Sequence, residues 1–200
     1  MSVRLGITGG IGSGKSGVSG LLRVMGIPVY DCDGEARRLM NDDAAIRAAI
    51  TALAGPDAYT SDGRLDRRYL ASFMFGDADR VTAVNAIVHP AVRADFRRWA
   101  EERSACEVVA VESAILFEAG MEGDVDAVAL VYTPREERLQ RTMARDGITE
   151  EQVRARMDSQ MSDEEKLPLA DYVIRNAEHD AITPQVRHLL TLLRGGLRRC

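Results

Sequence analysis

Five short apolar runs divide the chain: Val3 to Ile7, Ile27 to Tyr30, Glu107 to Val111, Ala127 to Tyr132 and Leu169 to Ile174. Each has the length and the valine, isoleucine and leucine content of a strand buried in a sheet. Between the first two, Val18, Leu21, Leu22 and Met25 recur at helical spacing, and Gly26 stops the pattern. A strand, a helix and a strand in close succession predict a parallel pair under a helical crossover, hence an α/β sheet covered by helices. From Gly34 to Arg103 the pattern is almost wholly helical, with segments at Leu39-Met40, Ala44 to Leu53, Arg68 to Phe75, Ala78 to Val88 and Pro90 to Arg103. Connections in α/β units are normally a few residues long, so an insertion of this size reads as a subdomain with its own task. Further on, Thr133-Pro134 opens a helix that Gly147 ends and Thr149 starts the next, making 134–160 a helical hairpin. Thr183-Pro184 opens a last helix, closed by Gly195-Gly196.

The first strand runs into Gly9-Gly10-Ile11-Gly12-Ser13-Gly14-Lys15-Ser16, where Gly9, four residues, Gly14, Lys15 and Ser16 match the phosphate-binding loop. Glycines let the backbone wrap a phosphate with its N–H groups inward, and the following helix adds the positive end of its dipole. Gly10, Ile11, Gly12, Ser13 and Gly14 then form the cradle, Lys15 reaches the terminal phosphates, and the Ser16 hydroxyl joins the shell of a magnesium ion. A plain glycine turn would give no reason for Lys-Ser after the last glycine.

Ligands of such sheets sit beyond the carboxyl ends of the strands, and the second strand ends there in Asp31-Cys32-Asp33. In an extended segment the two carboxylates project to the same side, one toward magnesium and the other toward a substrate hydroxyl. The competing role for Asp33 is to cap the next helix. Glu112 closes the third strand at the position of a magnesium-ordering carboxylate, where aspartate is more usual. Arg135, Arg138, Arg141 and Arg145, spaced by three, three and four, fall along one helical face, which either closes over phosphate or is a solvated face paired with Glu136 and Glu137. Asp66-Arg67-Arg68 puts charge beside a helix of the insertion, and His89-Pro90 sits at a junction between two of its helices.

Composition narrows the class. The 200 residues, 46% hydrophobic and 28% charged, contain no apolar run near the length needed to cross a membrane, and the N-terminus shows no export signal. A cytoplasmic location is expected. Cys32, Cys106 and Cys200 are odd in number and far apart, which predicts reduced thiols and no structural metal. A net charge of −5 argues against a general nucleic-acid binder.

Taken together, Thr8 to Ser16, Asp31-Cys32-Asp33 with Ala36-Arg37, Asp62-Gly63-Arg64-Leu65-Asp66-Arg67, His89-Pro90, Leu116-Phe117-Glu118, Arg141-Thr142-Met143-Ala144-Arg145-Asp146 and Ala170-Asp171-Tyr172-Val173-Ile174 resemble the dephospho-coenzyme A kinase family over nearly the whole chain. The resemblance implies a P-loop kinase fold: a five-stranded parallel sheet flanked by helices, with a helical acceptor-binding insertion and a helical lid. It divides the chain into a nucleotide-binding core (1–33, 104–134 and 161–200), an acceptor domain (34–103) and a lid (135–160). It implies ATP as co-substrate, magnesium, and transfer of the γ-phosphoryl group to the ribose 3′-hydroxyl of dephospho-coenzyme A. Asp33 is then the base, with Asp31 assisting or touching magnesium. Lys15, Arg141 and Arg145 meet the nucleotide, and Arg67 and His89 meet the acceptor. Three positions depart from the family pattern: Gly17, Cys32, and Glu112-Ser113-Ala114 in place of a proline-containing segment. The alternatives are another small-molecule or nucleoside monophosphate kinase of the same fold, and a nucleotide-dependent switch. Asp31-Cys32-Asp33-Gly34 fits a short GTPase element, but no Asn-Lys pair exists to read guanine.

Overall fold

The structure is a computed structural model, and it describes residues 2–195. Contacts divide the chain into two units, one running up to Asp31 and again from Trp99 onward, the other Cys32–Arg98.

In the first unit five strands form one parallel sheet: β1 (Val3–Thr8), β2 (Val29–Asp31), β3 (Val108–Glu112), β4 (Ala127–Tyr132) and β5 (Tyr172–Arg175), in the order β2-β3-β1-β4-β5. The inner strands are buried along most of their length, which is why they read as apolar runs instead of alternating patterns. Helices α1 (Lys15–Val24) and α9 (Ile182–Arg194) pack Val18, Leu22, Val186, Leu189, Leu190 and Leu193 against Leu5, Ile7, Val108, Ala129, Val131 and Ile174. Gly26, at φ 82, supplies the left-handed residue that ends α1 and returns the chain to the sheet.

The second unit contains α2 (Cys32–Asp42), α3 (Ala44–Ala54), α4 (Arg67–Met74) and most of α5 (Ala78–Glu101). Asp43 and Asp66 cap α3 and α4 by accepting two backbone N–H groups each. Tyr59 Oη donates to the Met40 carbonyl at 2.8 Å, fastening the loop between α3 and α4 to α2, and Tyr69 Oη donates to the Ala54 carbonyl at 2.8 Å, tying α4 to the end of α3. Back in the first unit, α6 (Arg135–Asp146) and α7 (Glu150–Asp158) form the expected helical pair. Gly147 at φ 64 ends α6, and Thr149 with Gln152 makes a capping box for α7. A one-turn helix, α8 (Asp163–Lys166), precedes β5.

Several boundaries differ from the sequence reading. His89-Pro90 does not separate two helices, because α5 continues through Pro90. Proline removes one N–H and crowds the preceding turn, but the flanking turns are anchored by buried Val84, Val88, Val92 and Phe96, whose burial outweighs that local cost. The strand-period argument for Asp31 and Asp33 fails as well: α2 begins at Cys32, so Asp31 ends a strand while Asp33 lies in the first turn of a helix. That position is inside the helix and not the flanking one a capping side chain occupies. The fifth strand starts at Tyr172, since Leu167–Leu169 forms a 3-10 turn. Cys32 is buried and Cys106 partly buried, and neither forms a disulfide among the described residues; Cys200 and Gly196 lie outside them. Among the described residues no helix is long and apolar enough to cross a membrane.

Candidate active site

The loop after β1 is held from three sides. Gly9, Gly12 and Gly14 have φ of 148, 79 and 90, conformations that a side chain rarely adopts, and neighbours fill the space at each. A Cβ on Gly12 would stand 2.5 Å from the Arg138 carbonyl oxygen, and one on Gly14 would stand 2.0 Å from Asn176 Nδ2. The glycines therefore serve close packing of the loop's outer side as well as a wrapped backbone. Ile11 N–H donates to Gln160 Oε1 at 3.0 Å, while its side chain packs against the buried cluster of Leu139, Val153 and Met157. This is how the α6–α7 pair grips the loop. On the far side Asn176 Nδ2 and Thr133 Oγ1 both donate to the Ser13 carbonyl, at 2.8 and 3.0 Å. Lys15 Nζ reaches the Gly9 carbonyl at 2.8 Å and the Gly10 carbonyl at 3.3 Å, which draws the ammonium over the loop it follows.

Carboxylates gather at the same strand ends. Glu112 is the register partner of Asp31 on one side and of Ile7 on the other, so β1, β2 and β3 end together. Ser16 Oγ donates to Glu112 Oε1 at 3.0 Å. A hydroxyl, a bonded carboxylate and a neighbouring carboxylate form an oxygen donor set suited to a hard divalent cation such as magnesium.

The four arginines of α6 do not share one role. Each three-residue step falls about 60° short of a full turn of an α-helix, so the stripe from Arg135 to Arg141 is broad enough to have a buried part and exposed edges. Arg138 is 5% exposed and faces Asp163, 3% exposed, with Nη1 and Oδ2 3.5 Å apart. Arg141 is half-buried, donating to the Asn176 carbonyl at 2.9 Å and contacting Glu137 at 3.2 Å. Arg145 is exposed and bound to Asp146 at 2.7 Å, and that carboxylate holds its guanidinium above the usual range. Arg135 pairs with Asp158 at 2.7 Å. Burial pushes the Asp163 carboxyl up, while Arg138, the Gly10 backbone N–H and Lys166 pull it back. Lys166, fully buried, donates to the Ala114 carbonyl at 2.8 Å and lies 3.2 Å from Glu118 Oε1.

Within the 32–98 unit a groove of about 370 Å³ is lined by Met40, Leu70 and Met74 with Asp33, Arg37 and Arg67. His89 stands elsewhere in that unit, half-buried in α5, and burial lowers its pKa. The sequence reading missed Thr133, Gln160 and Asp163, and treated Arg138 as one more arginine of a face. Arg138 and Thr142, four apart and both buried, mark the inner side of α6, a signal present in the spacing. Asp163 had none, since Ser162-x-x-Glu165 reads only as a capping box.

Residues 3–181 match the profile of the family described as Dephospho-CoA kinase. The chain belongs to the dephospho-CoA kinase family. A dephospho-CoA kinase of Bacteroides fragilis is 42% identical over 193 residues, covering 96% of this chain and 94% of the relative. The crystal structure of TT1252 from Thermus thermophilus has a TM-score of 0.79 at 40% identity, covering 99% of each chain. A dephospho-CoA kinase from Campylobacter jejuni, 24% identical and covering 98% of this chain and 99% of its own, has a TM-score of 0.72, a likeness of fold. The fold, a five-stranded parallel sheet flanked by helices, is that of a P-loop kinase.

Proposed function

We propose that this chain transfers the γ-phosphoryl group of ATP to the ribose 3′-hydroxyl of dephospho-coenzyme A, with Asp33 orienting that hydroxyl and accepting its proton. The observation that carries this reading is the groove of the 32–98 unit. It combines a carboxylate, Asp33, with two cations, Arg37 and Arg67, and an apolar lining. Such a lining suits an acceptor that presents a hydroxyl, a diphosphate and a long weakly polar arm. Phosphoryl transfer asks mainly for positioning and for charge neutralisation, so a weak base that takes the proton late is sufficient.

The loop from Gly10 to Ser16 holds the triphosphate. Lys15 neutralises its terminal oxygens, and Arg141, half-buried beside the Ser13 carbonyl network, is positioned to meet charge that moves as the phosphoryl group departs. Arg145 can serve the nucleotide only after leaving Asp146. Ser16, Glu112 and Asp31 would hold magnesium, which supplies neutralisation of the phosphate oxygens. His89, apart from the groove lining, contributes to the acceptor unit through the packing of α5.

Incubation of the purified chain with ATP, magnesium and a panel of acceptors tests the reading. ADP release with dephospho-coenzyme A well above that with nucleoside monophosphates is expected, and the reverse preference overturns it.

A further inference from the structure

The residue whose placement exceeds anything the reaction requires is Arg138. It is a buried arginine on the face of α6 that packs against the phosphate-binding loop, and its Nε has no hydrogen-bond partner. A side chain spends five donors and a full charge there only if something polar is gained, since burying an unpaired guanidinium is costly. Two features of the loop meet it. A Cβ built on Gly10 would lie 1.6 Å from Arg138 Nη1, so the guanidinium occupies the space that glycine leaves open. Two residues later, a Cβ on Gly12 would lie 2.5 Å from the backbone oxygen of the same arginine. Residue 138 thus packs against two glycines of the loop, Gly10 with its side chain and Gly12 with its main chain.

Asp163 completes the arrangement. Its carboxylate faces Arg138 at 3.5 Å, longer than a good hydrogen bond, and one of its oxygens, Oδ1, has no partner. The pair is therefore not optimised as an ion pair. Replacing a buried pair with apolar residues of similar volume is often neutral or favourable for stability, so fold stability alone does not explain it. What an apolar pair would lack is a polar wall against Gly10.

We propose that Arg138 and Asp163 are a positioning pair for the phosphate-binding loop, fixing the Gly10 to Gly12 segment from its outer side in the conformation that receives the ATP phosphates. The role rests on the reading of the loop as the ATP site. It predicts that the pair acts on the nucleotide and leaves the acceptor alone, because both residues contact the loop's unit and the acceptor groove lies in Cys32–Arg98.

The test uses the full chain and two variants, Arg138→Met/Asp163→Leu and Arg138→Lys, with melting temperature, a fluorescent-ATP titration and both KM values measured for each. The parent chain must bind ATP and turn over dephospho-coenzyme A; if it does neither, the reading of the site has failed and not the pair. Given an active parent, the apolar double variant should melt within a few degrees of it while its ATP affinity and KM worsen about tenfold, the scale of one lost charge-assisted hydrogen bond. Its acceptor KM should stay within twofold. Arg138→Lys keeps the charge opposite Asp163 but not the flat fork beside Gly10, so it should melt normally and still bind ATP several-fold more weakly. This variant decides the matter if the double variant does not fold. ATP binding within twofold of the parent in a folded variant, or an equal rise in both KM values, overturns the proposal.

Discussion

Ser16 Oγ donates a hydrogen bond to Glu112 Oε1 at 3.0 Å, joining the first turn of α1 to the end of β3 across 96 residues of sequence. A hydroxyl donor and a carboxylate acceptor are thereby paired at the strand ends, and under the proposed function both would hold magnesium. Glu112→Gln keeps the hydrogen bond but removes the charge. It should raise the magnesium concentration for half-maximal rate about tenfold, in the range by which lost carboxylate partners weaken metal sites. A magnesium titration of initial rates reads this, and an unchanged midpoint would remove Glu112 from the metal site.

Asp33→Asn should lower turnover by roughly two to four orders of magnitude, as loss of a positioned base does, while ATP affinity holds. Steady-state rates beside an ATP titration separate these. A nearly unchanged rate would leave Asp33 with only a favourable place in the first turn of α2.

Arg141→Ala should depress kcat more than it weakens ATP binding. The half-buried guanidinium also donates to the Asn176 carbonyl, and Asn176 holds the Ser13 carbonyl, so a small loss of affinity accompanies the loss of rate. Equal losses in both would assign Arg141 to ground-state binding.

His89 carries a pH dependence whose sign follows from its burial. Burial lowers its pKa below the ordinary 6.5, so in acid the unfolded chain takes up a proton that the folded chain resists. Stability is intact above about pH 6.5 and falls as the pH drops below it. His89→Gln should flatten this part of the profile, and melting temperatures at about pH 7.5 and about pH 5.5 show whether it does. Parallel declines in parent and variant would contradict it.

Glycines 17 and 20 lie in α1, and a Cβ at either meets nothing within 4 Å. Gly20→Ala should therefore stabilise the chain by up to about 1 kcal/mol, with Gly17→Ala smaller for its place nearer the helix start. A melting curve with a lowered midpoint for Gly20→Ala would point to a conformational need for that glycine.

The loop and the parallel sheet were legible because each rests on local rules: glycine spacing for the first, uninterrupted apolar runs for the second. Asp31 and Glu112 were legible as strand ends, although their register with one another was not, since pairing joins residues far apart in sequence. Pro90 misled because a helix-breaking residue was weighed by its local cost, against which the flanking buried positions of α5 prevail. The arginines of α6 misled differently. Spacing placed them on one broad face, whose inner side only the step from Arg138 to Thr142 marked, and Asp163, the partner that distinguishes Arg138, lies 25 residues away behind a turn with no chemical signature.

The shared ends of β1, β2 and β3 tie chemistry to strand alignment. Glu112 meets Asp31 and Ile7 only because Val108 pairs with Val3 and Ala110 with Val29. Sliding β3 by one residue would set Val111 or Ser113 at the rim and turn the buried valines toward the opposite face. The apolar packing that forbids this slip acts as the ruler of the strand-end rim: substitutions deep in the core at Val108 or Ala110, remote from that rim, will be felt as changes in how Asp31, Glu112 and Ser16 line up with one another.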